Sequence, residues 1–378
     1  MRNGYVGIGV VGCGSIGIRG ALEHFRHGDL DGEARITAVC DPVPGRAKAA
    51  AAKYGVPSWY DGDEGLERLL GDADVDMVTL CSPIGLHYAQ GLSAIRAGKH
   101  VHFNKTMAVE AWECDEMIAE ADRQGVRIVA SPGVAYAPRV QRARRLVLEG
   151  RLGMLSWGYI DNGAGSGGYH LGEAVRQGDG PLDGISPAWY FKKPAGGPQY
   201  DVAVYSLHNV TSILGPAKRV TAFSGMQHRS HEYKGETIAN EMDDSTTLLL
   251  DYGGGFHVIC NSVTASPMVK LFSFPDIHGG EASIIGGCYK GEPLTRPGDH
   301  SPHAVGVHAD MQESHVFEDI MQLAGLIRDG GDLYAGTPEQ ARHVVEIIEG
   351  GYRAARTGVA QALRTSFAPL PLEALARL

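Results

Sequence analysis

A glycine motif at the first junction between a strand and a helix constrains the fold of this 378-residue chain more than any other feature. Val6–Val11 is a short apolar run with β-branched residues, which predicts a buried strand, and the motif Gly12-Cys13-Gly14-Ser15-Ile16-Gly17 follows it directly. Gly12 permits the tight turn, Gly14 lets the backbone approach a pyrophosphate, and Gly17 lets the next helix pack closely on the sheet. The N-terminus of that helix, at Ser15 and Ile16, favours the phosphate charge. The segment therefore predicts a dinucleotide-binding site.

Strands and helices alternate along the first third of the chain. Apolar, strand-like runs at Ile36–Cys40, Val75–Cys81, His100–Asn104 and Val126–Ala130 are separated by segments of helical periodicity. Such alternation predicts an α/β fold with a doubly wound parallel sheet of the Rossmann type. Ser131-Pro132-Gly133 predicts a boundary, so residues 1–132 form the predicted dinucleotide-binding domain.

The remainder of the chain, residues 133–378, has a different pattern. Several β-rich runs between Val220 and Ile285 follow one another with short turns, which predicts a large open, mostly antiparallel sheet. Helical segments precede and follow these runs. The second predicted domain is therefore α+β, and we expect it to bind the substrate.

Charge and cysteine content exclude several classes of partner. Lysine and arginine number 34 against 44 aspartate and glutamate, and no basic block stands out, which argues against nucleic-acid and membrane-surface binding. The six cysteines lie far apart without a CxxC motif, a pattern typical of free thiols in a reducing compartment. No apolar run approaches the ~20 residues of a transmembrane helix. We therefore expect a cytoplasmic protein with a small-molecule substrate.

An acidic residue ends the second predicted strand. Asp41 occupies the position where a carboxylate accepts hydrogen bonds from the ribose hydroxyls of adenosine. A carboxylate at this position repels a 2′-phosphate, which favours NAD over NADP. Arg46 follows closely, and an arginine there can hold the phosphate, so NADP stays open as an alternative.

Aromatic side chains are concentrated between residues 151 and 205, whereas they form 7% of the whole chain. Aromatic faces pack against the C–H faces of sugar rings, and their polar tips bind hydroxyls. Ordinary enrichment of aromatic residues in β-sheets explains the same pattern equally well. Tyr169, His170 and Trp189 are the predicted substrate contacts in this region.

Two groups of histidines are candidate metal ligands. His300, His303 and His308 form one group, and His228 and His231 with Glu232 form the other. Neither group has zinc-ligand spacing with a fourth ligand. We therefore expect solvated loops at both places and no metal site.

A longer motif covers Cys81–Glu110, with the sequence CSPIGLHYAQGLSAIRAGKHVHFNKTMAVE. It resembles the Gfo/Idh/MocA oxidoreductases, the glucose–fructose oxidoreductase and inositol dehydrogenase family, whose pattern is TPNxxHxxxAxxALxAGKHVxxEKPxA. The resemblance continues downstream at Tyr136 and Pro138, at Gly196-Gly197-Pro198 with Asp201, and at Ile277–Ala282. The residues that match the longer motif at fixed spacing are Pro83, His87, Ala94, Ala97, Gly98, Lys99, His100, Val101 and Lys105.

The resemblance implies that Lys105 is the catalytic lysine. Lys105 comes just after a predicted strand, at the crevice where α/β sheets bind ligands, and its ammonium can lower the pKa of the reacting hydroxyl. The family's Glu-Lys-Pro is Asn104-Lys105-Thr106 here, which removes an acid near the nicotinamide and a constraint on the lysine backbone. These departures concern catalytic efficiency rather than the cofactor. Besides a substrate contact at Tyr136, the resemblance places cofactor contacts at Ser82, Pro83, His87, Asn104 and Lys105 itself.

The second half of the expected active site begins at Asp201. The family has a histidine four residues after this aspartate, on the same helical face, and here that position is Tyr205. A phenol, with an ordinary pKa near 10, needs a nearby cation such as Lys105 to act as a base at neutral pH. His208 lies on the same predicted face and is the rival base. We favour Tyr205 as the base, and we expect all four residues to contact the substrate.

The residues and the resemblance together predict an NAD(P)-dependent oxidoreductase. Hydride would pass between the nicotinamide and a secondary hydroxyl or ketone of a sugar, glycoside or cyclitol. Redox-neutral, NAD-dependent cleavage of a glycoside is one alternative, and a non-catalytic regulator that binds NAD or a sugar is the other. The resemblance also implies a homodimer or homotetramer that associates through the second domain.

Overall fold

The computed structural model describes residues 4–162, 169–264, 273–332 and 334–371. Within these residues the N-terminal sheet has six parallel strands in the order β3-β2-β1-β4-β5-β6. The order reverses between β1 and β4, and such a switch point leaves a crevice at the carboxyl ends of the strands. The predicted Rossmann sheet is confirmed. Its strands are β1 (Val6–Val11), β2 (Ala34–Asp41), β3 (Ser58–Asp61), β4 (Met77–Leu80), β5 (His100–Phe103) and β6 (Ile128–Ala130).

Apolar side chains cover both faces of this sheet. Val6, Ile8 and Val10 of β1 belong to one buried cluster, while Val11 belongs to another on the opposite face. Two-sided burial explains why the strands are almost continuously apolar. The helical turn Gly17–Leu22 opens the first crossover, and the helices that follow are α1 (Glu23–Phe25), α2 (Arg46–Tyr54), α3 (Gly65–Leu70), α4 (His87–Arg96) and α5 (Ala111–Gln124).

The second sheet is mixed and mostly antiparallel. Among the described residues it contains nine strands in the order β16-β15-β14-β13-β7-β12-β11-β8-β17, and β9 pairs with β10 in a separate hairpin. Only the β7–β12 pair of the nine is parallel. The strands are β7 (Leu155–Asp161), β8 (Arg219–Gly225), β9 (Ser230–Tyr233), β10 (Glu236–Ala239), β11 (Ser245–Gly253), β12 (Phe256–Val263), β13 (Asp276–Gly279), β14 (Ser283–Ile285), β15 (Cys288–Tyr289), β16 (Glu292–Pro293) and β17 (Gln361–Ala362).

Helices cover one face of the second sheet. They are α6 (Pro138–Leu148), α7 (Val204–Leu214) and α9 (Pro338–Thr357), and their apolar residues share a buried cluster with those of β8, β11 and β12. The other face carries exposed apolar side chains, among them Trp157, Phe223 and Leu249. The predicted open sheet is therefore confirmed.

A helix from the C-terminal part returns to the N-terminal sheet. In α8 (Ser314–Asp329), Val316, Phe317 and Ile320 are buried in the same cluster as Val6 and Ile8. The proposed division at residue 132 stays a prediction, and α8 belongs by packing to the first domain. None of the helices in the described ranges is long and apolar enough to cross a lipid bilayer.

Candidate active site

A cleft of about 920 Å³ opens at the carboxyl ends of β1, β2, β4 and β5. The glycine motif and Asp41 line one end, and Lys105 lines the other. The opposite wall comes from residues 170–189, from the segment that carries Asp201 and Tyr205, and from residues 312–315. Residues of the N-terminal sheet and of the C-terminal part of the chain thus meet at the switch point, where doubly wound folds bind their ligands.

Each glycine of the motif has its own steric role. A Cβ atom on Gly17 would lie 2.1 Å from the carbonyl oxygen of Gly12, so only glycine lets the helix approach this closely. Gly12 has a φ of 93°, in the left-handed region that favours glycine. A Cβ atom on Gly14 would point into the cleft, with Ile185 Cγ2 as its nearest neighbour at 3.9 Å. Gly14 therefore leaves room for a ligand, and Gly17 serves the packing.

The polar groups along the cleft fit a dinucleotide. Asp41 is buried, and its carboxylate accepts hydrogen bonds from the backbone N–H groups of Cys13 and Val43, both at 2.9 Å. Within the described residues, Ser15 Oγ and Asn104 Oδ1 are buried polar atoms without a protein partner, and both residues line the cleft. Buried polar groups require a partner, and a bound dinucleotide supplies one. The residues present therefore fit NAD.

Most of the predicted cofactor contacts line this cleft. Gly17 and His87 do not. His87 is buried, with Nδ1 2.7 Å from the carbonyl oxygen of Thr106 and Nε2 3.0 Å from that of Ser82. It therefore links the loop of Ser82 to the loop of Thr106 and does not face the cleft. The predicted contacts that do line the cleft are Gly12, Gly14, Ser15, Ile16, Asp41, Arg46, Ser82, Pro83, Asn104 and Lys105.

Lys105 and Asp201 form a buried ion pair. Lys105 Nζ donates to Asp201 Oδ1 at 2.5 Å and to the carbonyl oxygen of Asp201 at 2.7 Å. His170 Nε2 lies 3.0 Å from the other carboxylate oxygen of Asp201. Burial by itself would raise the pKa of Asp201, but the charges of Lys105 and His170 hold this pKa well below its usual range. Asp201 is therefore an anion that positions both Lys105 and His170.

Tyr205 lies beside this ion pair, with Lys105 Nζ 5.1 Å from the centre of its ring. Burial raises the pKa of Tyr205 well above its ordinary value, and the negative charge of Glu313 raises it further. This direction is the opposite of the one expected from Lys105, because burial and the nearby carboxylates outweigh the ammonium. The Tyr205 hydroxyl lies 2.9 Å from Nε2 of His315, a residue not anticipated from the sequence.

The structure does not bring His208 or Tyr136 to the cleft. His208 is buried and its ring does not line the cleft, although it follows Tyr205 on the same helix. Burial lowers the pKa of His208 to about 3. Tyr136 is also buried away from the cleft, whereas Trp189 and His170 line it. Tyr169 begins the short turn Tyr169–Gly172, and its side chain lies outside the described residues.

Thr106 occupies the position of the family's proline and ties the lysine loop to the opposite wall. Its hydroxyl donates to the carbonyl oxygen of Tyr200 at 2.6 Å. The Lys105–Thr106 peptide bond is cis. The hydrogen bond of Thr106 thus constrains the backbone next to Lys105, where the family has a proline.

A chain of ion pairs extends the wall beyond His170. Glu173 Oε2 lies 3.3 Å from His170 Nδ1 and accepts from Arg176 Nε at 2.6 Å. Burial by itself would raise the pKa of Glu173, but His170 and Arg176 lower it to about 2. Arg19 bridges Glu173, at 3.0 Å, and Glu313, at 3.4 Å. Arg19 follows the glycine motif closely, but residues 173, 176 and 313 belong to no local motif that could have revealed them.

The expected solvated histidine loops are partly wrong. His308 is buried, with its ring 4.2 Å from that of Phe317 and its Nδ1 3.0 Å from Nδ1 of His24. Packing by α8 against the N-terminal sheet explains this burial. In the described parts of the chain, no group of three or more His, Cys, Asp or Glu side chains is arranged to hold a metal ion.

Comparison with known proteins gives two family matches along the chain. The description "Oxidoreductase family, NAD-binding Rossmann fold" matches residues 6–131, and "GFO/IDH/MocA C-terminal domain" matches residues 140–285. The trans-1,2-dihydrobenzene-1,2-diol dehydrogenase of Bos taurus is 27% identical over 272 residues, which cover 71% of each chain. A glycosyl hydrolase family 109 protein of Shewanella amazonensis is 30% identical over 159 residues, which cover 40% of this chain and 34% of that one.

Solved structures share the fold over nearly the whole length. The aldose-aldose oxidoreductase of Caulobacter crescentus superposes with a TM-score of 0.71 at 20% identity, and covers 95% of this chain and 100% of that one. The two matched domains together span more than half of the sequence and include the glycine motif, Lys105 and Asp201. The chain therefore belongs to the Gfo/Idh/MocA family of NAD-binding oxidoreductases.

Proposed function

We propose that this protein is a dehydrogenase that oxidises a secondary hydroxyl of an uncharged sugar, glycoside or cyclitol with NAD. The observation that supports this most strongly is the meeting of Lys105, Asp201 and Tyr205 in one cleft with the glycine motif and Asp41. NADP remains the less favoured cofactor, because Arg46 is already paired with the buried Asp41 carboxylate, with Nη1 3.4 Å from Oδ1, and this carboxylate repels a 2′-phosphate.

Residues of this chain stabilise the oxygen of the reacting alcohol and accept its proton. NAD, when bound, supplies the hydride acceptor. Lys105 donates two hydrogen bonds to Asp201, and its ammonium has three N–H groups, so one can reach a substrate oxygen. This N–H group stabilises the alkoxide character that develops as hydride leaves. The Tyr205 hydroxyl, in the same cleft, receives the proton of the alcohol.

The charges of the cleft favour a neutral substrate. Each Lys or Arg side chain described in the cleft lies within 4 Å of a carboxylate. These side chains are Arg19, Arg46, Lys105 and Arg176. An anionic substrate would have to compete with these carboxylates. Trp189 offers an aromatic face beside His170, with ring centres 5.9 Å apart, which suits a polyhydroxylated ring. The name of the bovine relative likewise describes a ring with neighbouring hydroxyls.

The test is a panel of neutral sugars, glycosides and inositols with NAD and NADP, read by the absorbance of the reduced cofactor. We expect turnover with some members and a loss of roughly 10²-fold or more in Lys105→Ala. Lys48→Ala, at an exposed lysine of α2, is the matched control and should retain full activity. Absence of turnover throughout the panel, with cofactor bound, would contradict the proposal. Unchanged behaviour of Lys105→Ala would favour a non-catalytic binding protein.

A second candidate function is redox-neutral cleavage of a glycoside. The similarity to a glycosyl hydrolase family 109 protein favours it. A second argument is the segment of residues 173–186, which forms a strap along the cofactor end of the cleft. Arg46 Nε donates to the carbonyl oxygen of Pro181 at 2.8 Å, and Arg19 pairs with Glu173. A cofactor beneath the strap would be retained between turnovers. NAD that copurifies, together with glycoside cleavage without net reduction of added NAD, would support this candidate over the first.

We also propose a homo-oligomer that associates through the open face of the second sheet. Phe223 is 88% exposed there, and Trp157 and Leu249 are exposed on the same sheet. Such an apolar surface suits a symmetric interface. Sedimentation should give a dimer or tetramer for the wild type and a smaller species for Phe223→Glu. A monomeric wild type at micromolar concentration would overturn this proposal.

A cytoplasmic location remains part of the proposal. All six cysteines are free thiols, and four of them are buried. Persistent free thiols are typical of a reducing compartment.

A further inference from the structure

Tyr205 presents a chemical difficulty as a base. Burial and the charge of Glu313 raise its pKa, so its hydroxyl is protonated at neutral pH. A neutral phenol that accepts the alcohol proton must release its own proton at the same time. The proposed function therefore requires a proton acceptor next to the Tyr205 oxygen.

His315 occupies this position. Its Nε2 lies 2.9 Å from the Tyr205 hydroxyl oxygen, and the two rings meet edge to face with centres 5.4 Å apart. Burial lowers the pKa of His315, so its ring is neutral at pH 7 and can accept a hydrogen bond through Nε2. The side chain is 35% exposed toward the cleft, which allows the ring to exchange protons with water.

Glu313 is placed to stabilise the protonated form of His315. Its carboxylate lies 3.7 Å from His315 Nε2, and its charge raises the pKa of the ring against the effect of burial. Glu313 has a φ of 57°, in the left-handed region that few residues other than glycine adopt. Arg19 fixes the same carboxylate at 3.4 Å. An unusual backbone conformation thus holds an acid beside His315.

We infer that His315 and Tyr205 form a proton relay, in which Glu313 positions and stabilises His315; the inference rests on the proposed dehydrogenase function. As the alcohol is oxidised, its O–H bond breaks and the proton goes to the Tyr205 oxygen. The original O–H bond of Tyr205 breaks, and that proton forms the Nε2–H bond of His315. The electron pair of the carbinol C–H bond leaves as hydride to NAD, and the C=O bond forms. The imidazolium then returns its proton to water, and reduction runs the same steps backwards.

The relay predicts a specific dependence on pH. Oxidation needs neutral His315, so the rate falls as pH drops through the pKa of the ring, below the ordinary value of about 6.5. In His315→Gln this acidic limb should disappear. Among the described residues, the titratable and charged groups that face His315 come from three elements and the turn before α8. They are Tyr205 from α7, Glu313 from that turn, Lys105 and His102 from the β5 region, and Arg19 through Glu313.

The first experiment needs neither substrate nor cofactor. The His315 ring is titrated by NMR in the full-length protein, with His315→Gln identifying its signal. Donation from Tyr205 favours the neutral ring, so Tyr205→Phe should raise the pKa of His315, whereas Glu313→Gln should lower it. An unchanged titration in Tyr205→Phe would show that the hydrogen bond does not form, and would overturn the relay whatever the enzyme's activity.

The second experiment measures turnover. His315→Gln should lower kcat for oxidation by roughly 10²–10⁴, with little change in KM or in NAD affinity. Free imidazole should restore part of the activity of His315→Ala, which a purely structural role would not allow. The double variant with Tyr205→Phe should be no slower than Tyr205→Phe alone. His300→Gln, at an exposed histidine outside the cleft, is the control.

The outcomes separate the relay from the proposed function. If Tyr205→Phe is inactive while His315→Gln keeps the wild-type rate and pH profile, the relay is wrong and the dehydrogenase proposal stands. If the wild type itself has no dehydrogenase activity, the proposed function fails, and the relay fails with it as a catalytic device. Loss of the acidic limb together with imidazole rescue supports both.

Discussion

Tyr205 and His208 lie on the same helix but face different surroundings. The Tyr205 hydroxyl faces the cleft beside Lys105, whereas His208 is buried outside it. A base must reach the proton it removes, so geometry decides before pKa does. The geometry therefore favours Tyr205 over His208 as the proposed base, although the ordinary pKa of histidine is better suited to the role.

Replacing each residue in turn tests this choice. Tyr205→Phe keeps the ring and removes the hydroxyl, so turnover should fall by roughly 10²–10⁴ with little change in NAD affinity. His208→Asn should lower thermal stability while the folded protein keeps its kcat. Steady-state kinetics and calorimetric NAD titration of both variants provide the measurement. An active Tyr205→Phe with an inactive, folded His208→Asn would reverse the assignment.

Sequence motifs pointed to some of the residues that the structure brings together in the cleft. Lys105 and Asp201 were identified by the family pattern, and the structure brings them into contact. His315 and Glu313 had no such signal, because α8 and the turn before it reach the cleft only through tertiary packing. His87 matched the family pattern at fixed spacing, yet it binds backbone carbonyls behind the cleft. The spacing of a residue within a motif does not distinguish a ligand contact from a structural hydrogen bond.

At the scale of elements, the first turn offers a matched pair of substitutions. Gly17→Ala places a methyl group 2.1 Å from the Gly12 carbonyl oxygen, so the helix must move away from the sheet. We expect a loss of about 1–3 kcal/mol in stability. Gly14→Ala adds a methyl group that meets no protein atom closer than 3.9 Å and points into the cleft. It should keep the wild-type Tm but weaken NAD binding at least 10-fold.

Thermal unfolding and calorimetric NAD titration distinguish the two glycines. If Gly14→Ala lost stability and Gly17→Ala lost only affinity, the roles assigned to these residues would be exchanged. Equal effects of both variants on Tm would mean that the cleft near Gly14 is less open than the structure shows.

The alternation of strands and helices predicted the order and type of the N-terminal elements. The sequence pattern of the second domain predicted strands and helices but not all of their pairings. Parallel strands joined by helices leave a regular pattern in sequence. The parallel pairing of β7 with β12 leaves none, because these strands are separated by about a hundred residues that include α7. The π-helical segment Gln199–Ala203, which carries Asp201, is likewise set by its contacts with Lys105 and Thr106.

For the whole molecule, α8 joins the two halves of the chain. Asp319 of α8 accepts hydrogen bonds from Ser131 Oγ at 2.5 Å and from the backbone N–H of Gly133 at 3.0 Å. Ser131 and Gly133 follow the last strand of the N-terminal sheet, at the boundary expected from the sequence. The segment expected to separate the two domains is therefore in contact with α8, because this helix of the C-terminal part packs on the first sheet.

The same contact makes stability depend on pH. Burial raises the pKa of Asp319 to about 7, although hydrogen bonds from Ser131 and Gly133 oppose the shift. The native state therefore favours the protonated carboxyl. This contribution is fully present below the ordinary pKa of Asp, near 3.9, and is lost as pH rises through about 7.

Asp319→Asn removes the titration and keeps an acceptor for Gly133. Relative to the wild type, the variant should therefore gain stability between pH 5 and pH 8, by about 1–3 kcal/mol. Urea unfolding at both pH values measures this change. Asp299→Asn is the control: Arg142 lowers the pKa of Asp299 to about 2, so the cost of that substitution should be constant over this range. A constant difference for Asp319→Asn as well would mean that Asp319 is ionised throughout, and that α8 is held to the first sheet by a charge-assisted hydrogen bond instead.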